Sequence, residues 1–313
     1  MFVLKRFLAL LLVFLFPVLP ALGETVTASF FPVYLMACNL TDGIEGLEVH
    51  SLTAPDTGCL HDYQLSTGDL KALEDSKLFL ICGAGMEAFL PMVQRAYPDL
   101  PLADASADLT LLPSESGETE FNAHIWLDPD MASVMAENLC RGLRDVFPEH
   151  AEALNANLAA YKERLTAMDE KVKEVLAPYA GREIITFHEA FPYFAQHYGL
   201  SVAAVIALEP EEALSPRELG EMVKLIEEKG SIPLFTEPQY PSLAAEVISS
   251  ETGAPLYTLD PCVTAPEGEG PLDWYEQIMQ KNADVLVKAF AEPSSLWKKL
   301  PDQRSDPAAF CIS

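Results

Sequence analysis

Residues 149–178 read EHAEALNANLAAYKERLTAMDEKVKEVLAP, and this stretch decides the fold. Leu154, Leu158, Tyr161, Leu165, Met168, Val172 and Leu176 recur at spacings of three and four, the period of a helix with one apolar stripe. No glycine or proline interrupts the pattern before Pro178. About 28 helical residues rising about 1.5 Å each span about 42 Å, which is the length of a lobe rather than of a loop. The pattern predicts a rigid linker helix between two lobes; the plainer alternative is a long surface helix within one domain.

Both flanks support two lobes. Upstream, Thr25 to Phe30 alternate as a strand does, Pro32 to Leu40 read as a helix and Leu47 to Leu52 as a second strand. Ser66 to Asp75 read as a helix with Ser66 or Thr67 as N-cap. Leu78-Phe79-Leu80-Ile81-Cys82 is a continuous apolar run, the mark of a strand buried on both faces. Gly83-Ala84-Gly85 then turns the chain into a helix over Met86 to Ala96, and a further short strand is expected at Leu109 to Leu112. Asp128-Pro129 looks like an N-cap with proline at the first helical position. Downstream, strands are expected at Glu183–Phe187, Val202–Ile206, Pro233–Thr236 and Leu256–Leu259. They alternate with helices at Ala190–Tyr198, Ser215–Lys229, Ser242–Thr252 and Leu272–Ala291. Alternation of this kind gives α/β lobes with mostly parallel sheets. The expected organisation is a signal peptide over 1–23, an N-terminal α/β lobe over 24–148, a linker helix over 149–178 and a C-terminal α/β lobe over 179–313.

The opening residues carry their own message. Lys5 and Arg6 precede an apolar run from Phe7 to Leu22, broken by Pro17 and Pro20 and ending in Ala21-Leu22-Gly23. That run is short against the roughly 20 residues of a membrane span, so it reads as a cleaved secretory signal rather than an anchor. No cysteine follows it to accept a lipid, and the protein is expected to be exported, periplasmic or otherwise extracytoplasmic. A net charge of −27 argues against nucleic acid and anionic membrane as partners. Six cysteines are too few for a disulfide scaffold, but export permits pairing. Cys262 and Cys311 are the expected bridge, whereas Cys38, Cys82 and Cys140 sit in apolar stretches as buried small hydrophobes.

Chemistry concentrates in His61, His124, His188 and Asp260. His188 and Asp260 each follow a predicted strand directly, His61 lies in a strand-to-helix loop, and His124 stands just before the Asp128-Pro129 helix start. In open α/β sheets ligands bind beyond the carboxyl ends of strands, so two candidates from each lobe face an inter-lobe cleft. Three imidazoles and a carboxylate suit a borderline divalent cation. His50, His150 and His197 lack this placement and are expected to be non-ligands. A secreted zinc hydrolase would use the same donors, but His188-Glu189 cannot complete a His-Glu-x-x-His helix because Pro192 stands at the second histidine position. No catalytic role is assigned.

These stretches, taken in order, resemble the zinc/manganese-binding receptors of metal ABC transporters. Thr27-Ala28-Ser29-Phe30-Phe31-Pro32 is similar to that family's opening strand and helix. Gly58-Cys59-Leu60-His61-Asp62-Tyr63 and His124-Ile125-Trp126-Leu127-Asp128-Pro129 resemble its first two ligand motifs. Phe187-His188-Glu189-Ala190-Phe191 resembles the third, and Glu237-Pro238-Gln239 with Leu259-Asp260-Pro261 the last signatures. The resemblance implies two lobes on a long helix and a single metal held by His61, His124, His188 and Asp260. It also implies a monomer whose partners are a divalent metal ion and a membrane permease, with no nucleic acid. Histidine at the third position points to Zn²⁺; the histidine-free stretch Glu115 to Glu120 keeps Mn²⁺ or iron as alternatives. A surface adhesion protein of the same fold is the remaining alternative. Glu237 is expected to accept a hydrogen bond from a ligand imidazole. Cys59 and Asn122 stand where the family often has aspartate; Cys59 is expected to be buried or disulfide-bonded, with metal ligation as the alternative.

Overall fold

The computed structural model describes residues 23–55, 57–60, 63–115, 119–206, 215–230, 232–240, 243–265 and 272–291. Residues 1–22 of the expected signal peptide, His61 and Cys311 therefore lie outside the described residues. None of the described helices is long and apolar enough to cross a membrane.

The first half builds β1 (Glu24–Ala28), α1 (Phe31–Thr41), β2 (Leu47–Ser51), α2 (Thr67–Glu74), β3 (Leu78–Ile81), α3 (Leu90–Ala96) and β4 (Leu102–Asp104). Its sheet runs β2-β1-β3-β4, every pair parallel. All four residues of β3 are buried, as a continuous apolar run requires of a central strand. Ser66 caps α2 through a reciprocal box with Asp69, each side chain bonding the other's backbone N–H. Gly83 follows β3 at φ 76, and a Cβ there would stand 2.0 Å from Asp104 Oδ1, so only glycine fits the turn.

The fourth strand is not where the sequence suggested. It is Leu102–Asp104, paired with β3, whereas Leu109 to Leu112 form no strand. The leucines there are half-buried and pack on the core from a loop that an isolated bridge, Pro113 to Phe121, closes. Three residues with a single buried side chain, Ala103, leave too little alternation to be recognised in β4. Helix α3 likewise begins at Leu90 beside Pro91 rather than at Met86, because the turn after Gly83 uses residues 84–89.

Asp128 caps α4 (Pro129–Val146), accepting from the N–H groups of Asp130 and Met131. Helix α5 (Ala151–Leu176) follows, with 26 residues and a length of about 39 Å. Six of its seven stripe residues are buried and Leu158 is half-buried. The stripe packs on α1 and α4 from the first half and on α9 (Trp274–Ala291) from the last segment of the chain. One helix thus contributes core to both halves, at about 1.5–3 kcal/mol per fully buried large side chain.

The second half repeats the first. It contains β5 (Glu183–Thr186), α6 (Pro192–His197), β6 (Ser201–Val205), α7 (Pro216–Lys229), β7 (Leu234–Thr236), α8 (Leu243–Thr252) and β8 (Leu256–Thr258). Its sheet runs β6-β5-β7-β8, again all parallel and in the same relative order. Alternate residues serve opposite faces. Ile184 and Phe235 join the large core shared with the first half, while Ile185 and Leu234 join a smaller one with Ile226 of α7 and Ile248 of α8. The fold is α/β, two parallel-sheet lobes joined by a long helix.

Candidate metal site

The two sheets deliver their chemistry at strand ends. Phe187 continues β5, its N–H donating to the Phe235 carbonyl of β7 at 3.2 Å. That register sets His188 beside Glu237, the residue that follows β7. His188 Nδ1 lies 3.1 Å from both Glu237 oxygens, and the Glu237 side chain is only 2 % exposed. Gln239 Nε2 donates to the same carboxylate at 2.6 Å. A carboxylate can only accept, so Nδ1 carries the proton and the lone pair is on Nε2. Glu237 is the acceptor the sequence led us to expect, and His188 is its donor.

His124 is oriented by Asn122, which the sequence marked only as a departure from the family's usual aspartate. Asn122 Oδ1 accepts from the His124 backbone N–H at 2.9 Å and lies 3.1 Å from Nδ1. Asn122 Nδ2 donates to the carbonyl of Glu189 at 2.7 Å, which fixes the amide's orientation. Nδ1 of His124 is therefore protonated and its lone pair is also on Nε2. That nitrogen stands 3.5 Å from Cys59 Sγ. The rings of His124 and His188 meet edge to face with centroids 4.7 Å apart. Trp126 backs His124 and Tyr240 backs His188, both at 5.3 Å between centroids.

Cys59, His124 and His188 each bring one donor atom within 4.8 Å of the others. Cys59 is a free thiol, held between Gly58 and the fully buried Leu60. Burial, and then the charge of Glu237, push its thiol well above the ordinary range. Asp260 lies outside this group of three. It is buried two residues beyond β8, its backbone clamped by Asn282 through bonds of 2.8 and 2.7 Å. Its Oδ1 accepts from the Cys262 N–H at 2.9 Å, and Cys262 takes a left-handed φ of 59 to make the turn. Burial raises the Asp260 carboxyl, the Cys262 N–H and Lys281 oppose the rise, and the charge of Glu237 adds to it. Glu237 therefore acts on Cys59, His188 and Asp260 alike, and a bound cation would relieve that accumulation of negative charge.

Of the four candidates drawn from the sequence, the structure brings His124 and His188 together, sets Asp260 nearby but outside their group, and does not describe His61. The other histidines are placed differently. His50 is largely exposed on β2 opposite Glu48, and His150 lies in the short turn leading into α5. His197 is buried between two carboxylates, Nδ1 at 3.0 Å from Asp128 and Nε2 at 2.8 Å from Asp169. With Asp128 and Asp130 it forms the second of two donor clusters among the described residues. Cys262 is buried, and its expected partner Cys311 lies outside the described residues.

Several hydrogen bonds join the halves around the site. Tyr193 accepts from the Leu112 N–H at 2.9 Å and donates to the Asn122 carbonyl at 2.8 Å. Glu189 accepts from Ser114 Oγ and from the Glu115 N–H. Trp126 Nε1 donates to the Pro261 carbonyl, and Tyr275 donates to that of Trp126, both at 2.7 Å.

Two open parallel-sheet lobes on a stiff helix, with an imidazole-rich cluster between their strand ends, make up the architecture of a solute-binding receptor whose solute is a metal ion. Residues 26–289 match the family described as zinc-uptake complex component A, periplasmic (ZnuA), and the chain belongs to it. It is 28% identical over 276 residues to the iron-binding protein YfeA of Yersinia pestis, covering 85% of this chain and 86% of that protein. It is 28% identical over 267 residues to the high-affinity zinc uptake system protein ZnuA of the same organism, covering 76% and 83%. Among solved structures, the Zn(II)-bound ZnuA-like domain of Streptococcus pneumoniae AdcA superposes with a TM-score of 0.74 at 25% identity, covering 86% of this chain and all of that one.

Proposed function

We propose that this protein is an extracytoplasmic receptor that captures Zn²⁺ and delivers it to the permease of an ABC transporter. His61, His124, His188 and Asp260 hold the ion, and the chain acts as a monomer. The observation that carries the reading is the pairing of His124 and His188. They come from opposite halves of the molecule, each has its Nδ1 proton committed to an acceptor, which leaves Nε2 to ligate, and the two rings meet with centroids 4.7 Å apart. Outer partners of this kind fix the tautomer that a zinc ligand needs. The placement of Asp260 beyond β8 and the charge of Glu237 support a cation there.

A hydrolase is not favoured. Glu189 accepts from Ser114 Oγ and from the Glu115 N–H, one bond on each oxygen. Glu237 is committed to His188 and Gln239. Both carboxylates serve as hydrogen-bond acceptors that hold neighbouring groups in place. The reading is tested by metal analysis of protein purified without chelator, together with competitive titrations of Zn²⁺ and Mn²⁺. Zinc is expected to co-purify near one per chain and to raise the melting temperature, and His188→Ala to lose most of that rise. Metal-free protein with an unchanged melt in zinc would refute it.

A further inference from the structure

We propose that Cys59 is itself a ligand of the captured ion, so that the cleft is a mixed nitrogen–sulfur site that selects thiophilic dications over hard ones. The proposal rests on the metal-receptor reading above and deepens it by naming the donor that sets selectivity.

The geometry is the argument. A tetrahedral zinc binds sulfur at about 2.3 Å and imidazole nitrogen at about 2.0–2.1 Å, so two such donors on one ion stand about 3.6 Å apart. Cys59 Sγ and His124 Nε2 are 3.5 Å apart. His188 completes the group, with all three donor atoms within 4.8 Å of one another. The thiol is held there by the local chain. Gly58 adopts a φ of 80, which favours glycine, and Leu60 is fully buried in the core, so the segment cannot swing Cys59 out without exposing Leu60. Beyond this segment the Pro55 carbonyl accepts from the Ala265 N–H at 3.0 Å, tying the loop to the chain that follows Asp260.

On binding, the S–H bond breaks, its proton passes to solvent, and a sulfur–metal bond forms without any change of oxidation state. Thiolate is a soft donor. It strengthens Zn²⁺ and Co²⁺ binding, whereas Mn²⁺ prefers carboxylate, carbonyl and water. A thiolate among the donors therefore raises the preference for zinc over manganese, which the histidine count alone leaves modest.

The test uses the full chain without its signal segment, loaded with Co²⁺. Wild-type protein is expected to show thiolate-to-cobalt charge transfer in the near ultraviolet. Cys59→Ser is expected to bind Co²⁺ without that band and to lose at least about tenfold in zinc affinity, with manganese changed less. Zinc-edge X-ray absorption of the wild type, which needs no variant to fold, should show a sulfur neighbour at about 2.3 Å. Zinc binding with no sulfur neighbour, or a charge-transfer band that survives in Cys59→Ser, overturns the role of Cys59 and leaves the receptor reading standing. Failure of the wild type to bind either metal overturns both.

Discussion

Asn122 accepts from His124 twice, once from the backbone N–H and once from Nδ1, while its own amide N–H₂ holds the carbonyl next to His188. One buried side chain thus aims one imidazole and braces the loop of the other. Asn122→Ala leaves these donors and an acceptor unpaired in the interior. It is expected to cost about 1–3 kcal/mol of stability and to weaken zinc binding by about 10–100-fold. Denaturant melts and calorimetric titration of the same variant read the two effects separately.

Glu237 behaves differently because it steadies His188 by charge as well as by hydrogen bonding. Glu237→Gln keeps an acceptor for Nδ1 but removes the negative charge. Zinc affinity is expected to fall by about 10-fold in this variant and by up to about 100-fold in Glu237→Ala. Equal affinities in wild type and Glu237→Ala, measured by competition with a chromogenic chelator, would contradict the assigned role.

Capture should weaken in acid. A ligand imidazole must be neutral, and the ordinary value for histidine is about 6.5. The zinc dissociation constant is expected to rise steeply as pH falls from about 7 to below about 6. Titrations at fixed ionic strength on either side of that range measure it.

His197 makes an opposite prediction, for folding rather than for metal. It sits on α6 between Asp128, the cap of α4, and Asp169 of α5, with Asp130 3.9 Å away and Lys173 bonded to Asp169 at 2.6 Å. Burial lowers its affinity for a proton, but the bonds and charges of Asp128 and Asp169 outweigh burial, and the net shift is upward. A raised folded-state value means that the stabilisation is complete below the unfolded value of about 6.5 and fades as pH rises through the folded one. His197→Gln should remove this part of the pH dependence. At pH 6, where the imidazolium is present, His197→Ala should cost about 3–5 kcal/mol as a broken buried ion pair. Melting curves of wild type and variant between pH 6 and 9 should converge as pH rises; parallel curves would refute the assignment.

The parts of this molecule that could be read beforehand are those that depend on burial repeating along the chain. The stripe from Leu154 to Leu176 and the apolar runs ending before His188 and Asp260 are local patterns, and each led to the right element. What could not be read depends on which distant residues meet. Cys59 and His124 are 65 positions apart, and Asn122 and Glu189 are 67 apart. No periodicity relates members of such pairs. Strand β4 was missed for the opposite reason, since three residues at a sheet edge carry too little pattern to register. The buried clasp at His197 was invisible because a histidine on an apolar helix face looks the same whether or not two carboxylates await it.

Helix α5 sets a limit on how this protein can use its free energy. Its buried stripe is shared between the halves, so tilting one lobe against the other would expose leucines and a tyrosine to water. The spacing between His124 and His188 is accordingly fixed when the chain folds, and little of it remains to be arranged when an ion arrives. The ordering entropy of the site is thus charged to folding rather than to capture.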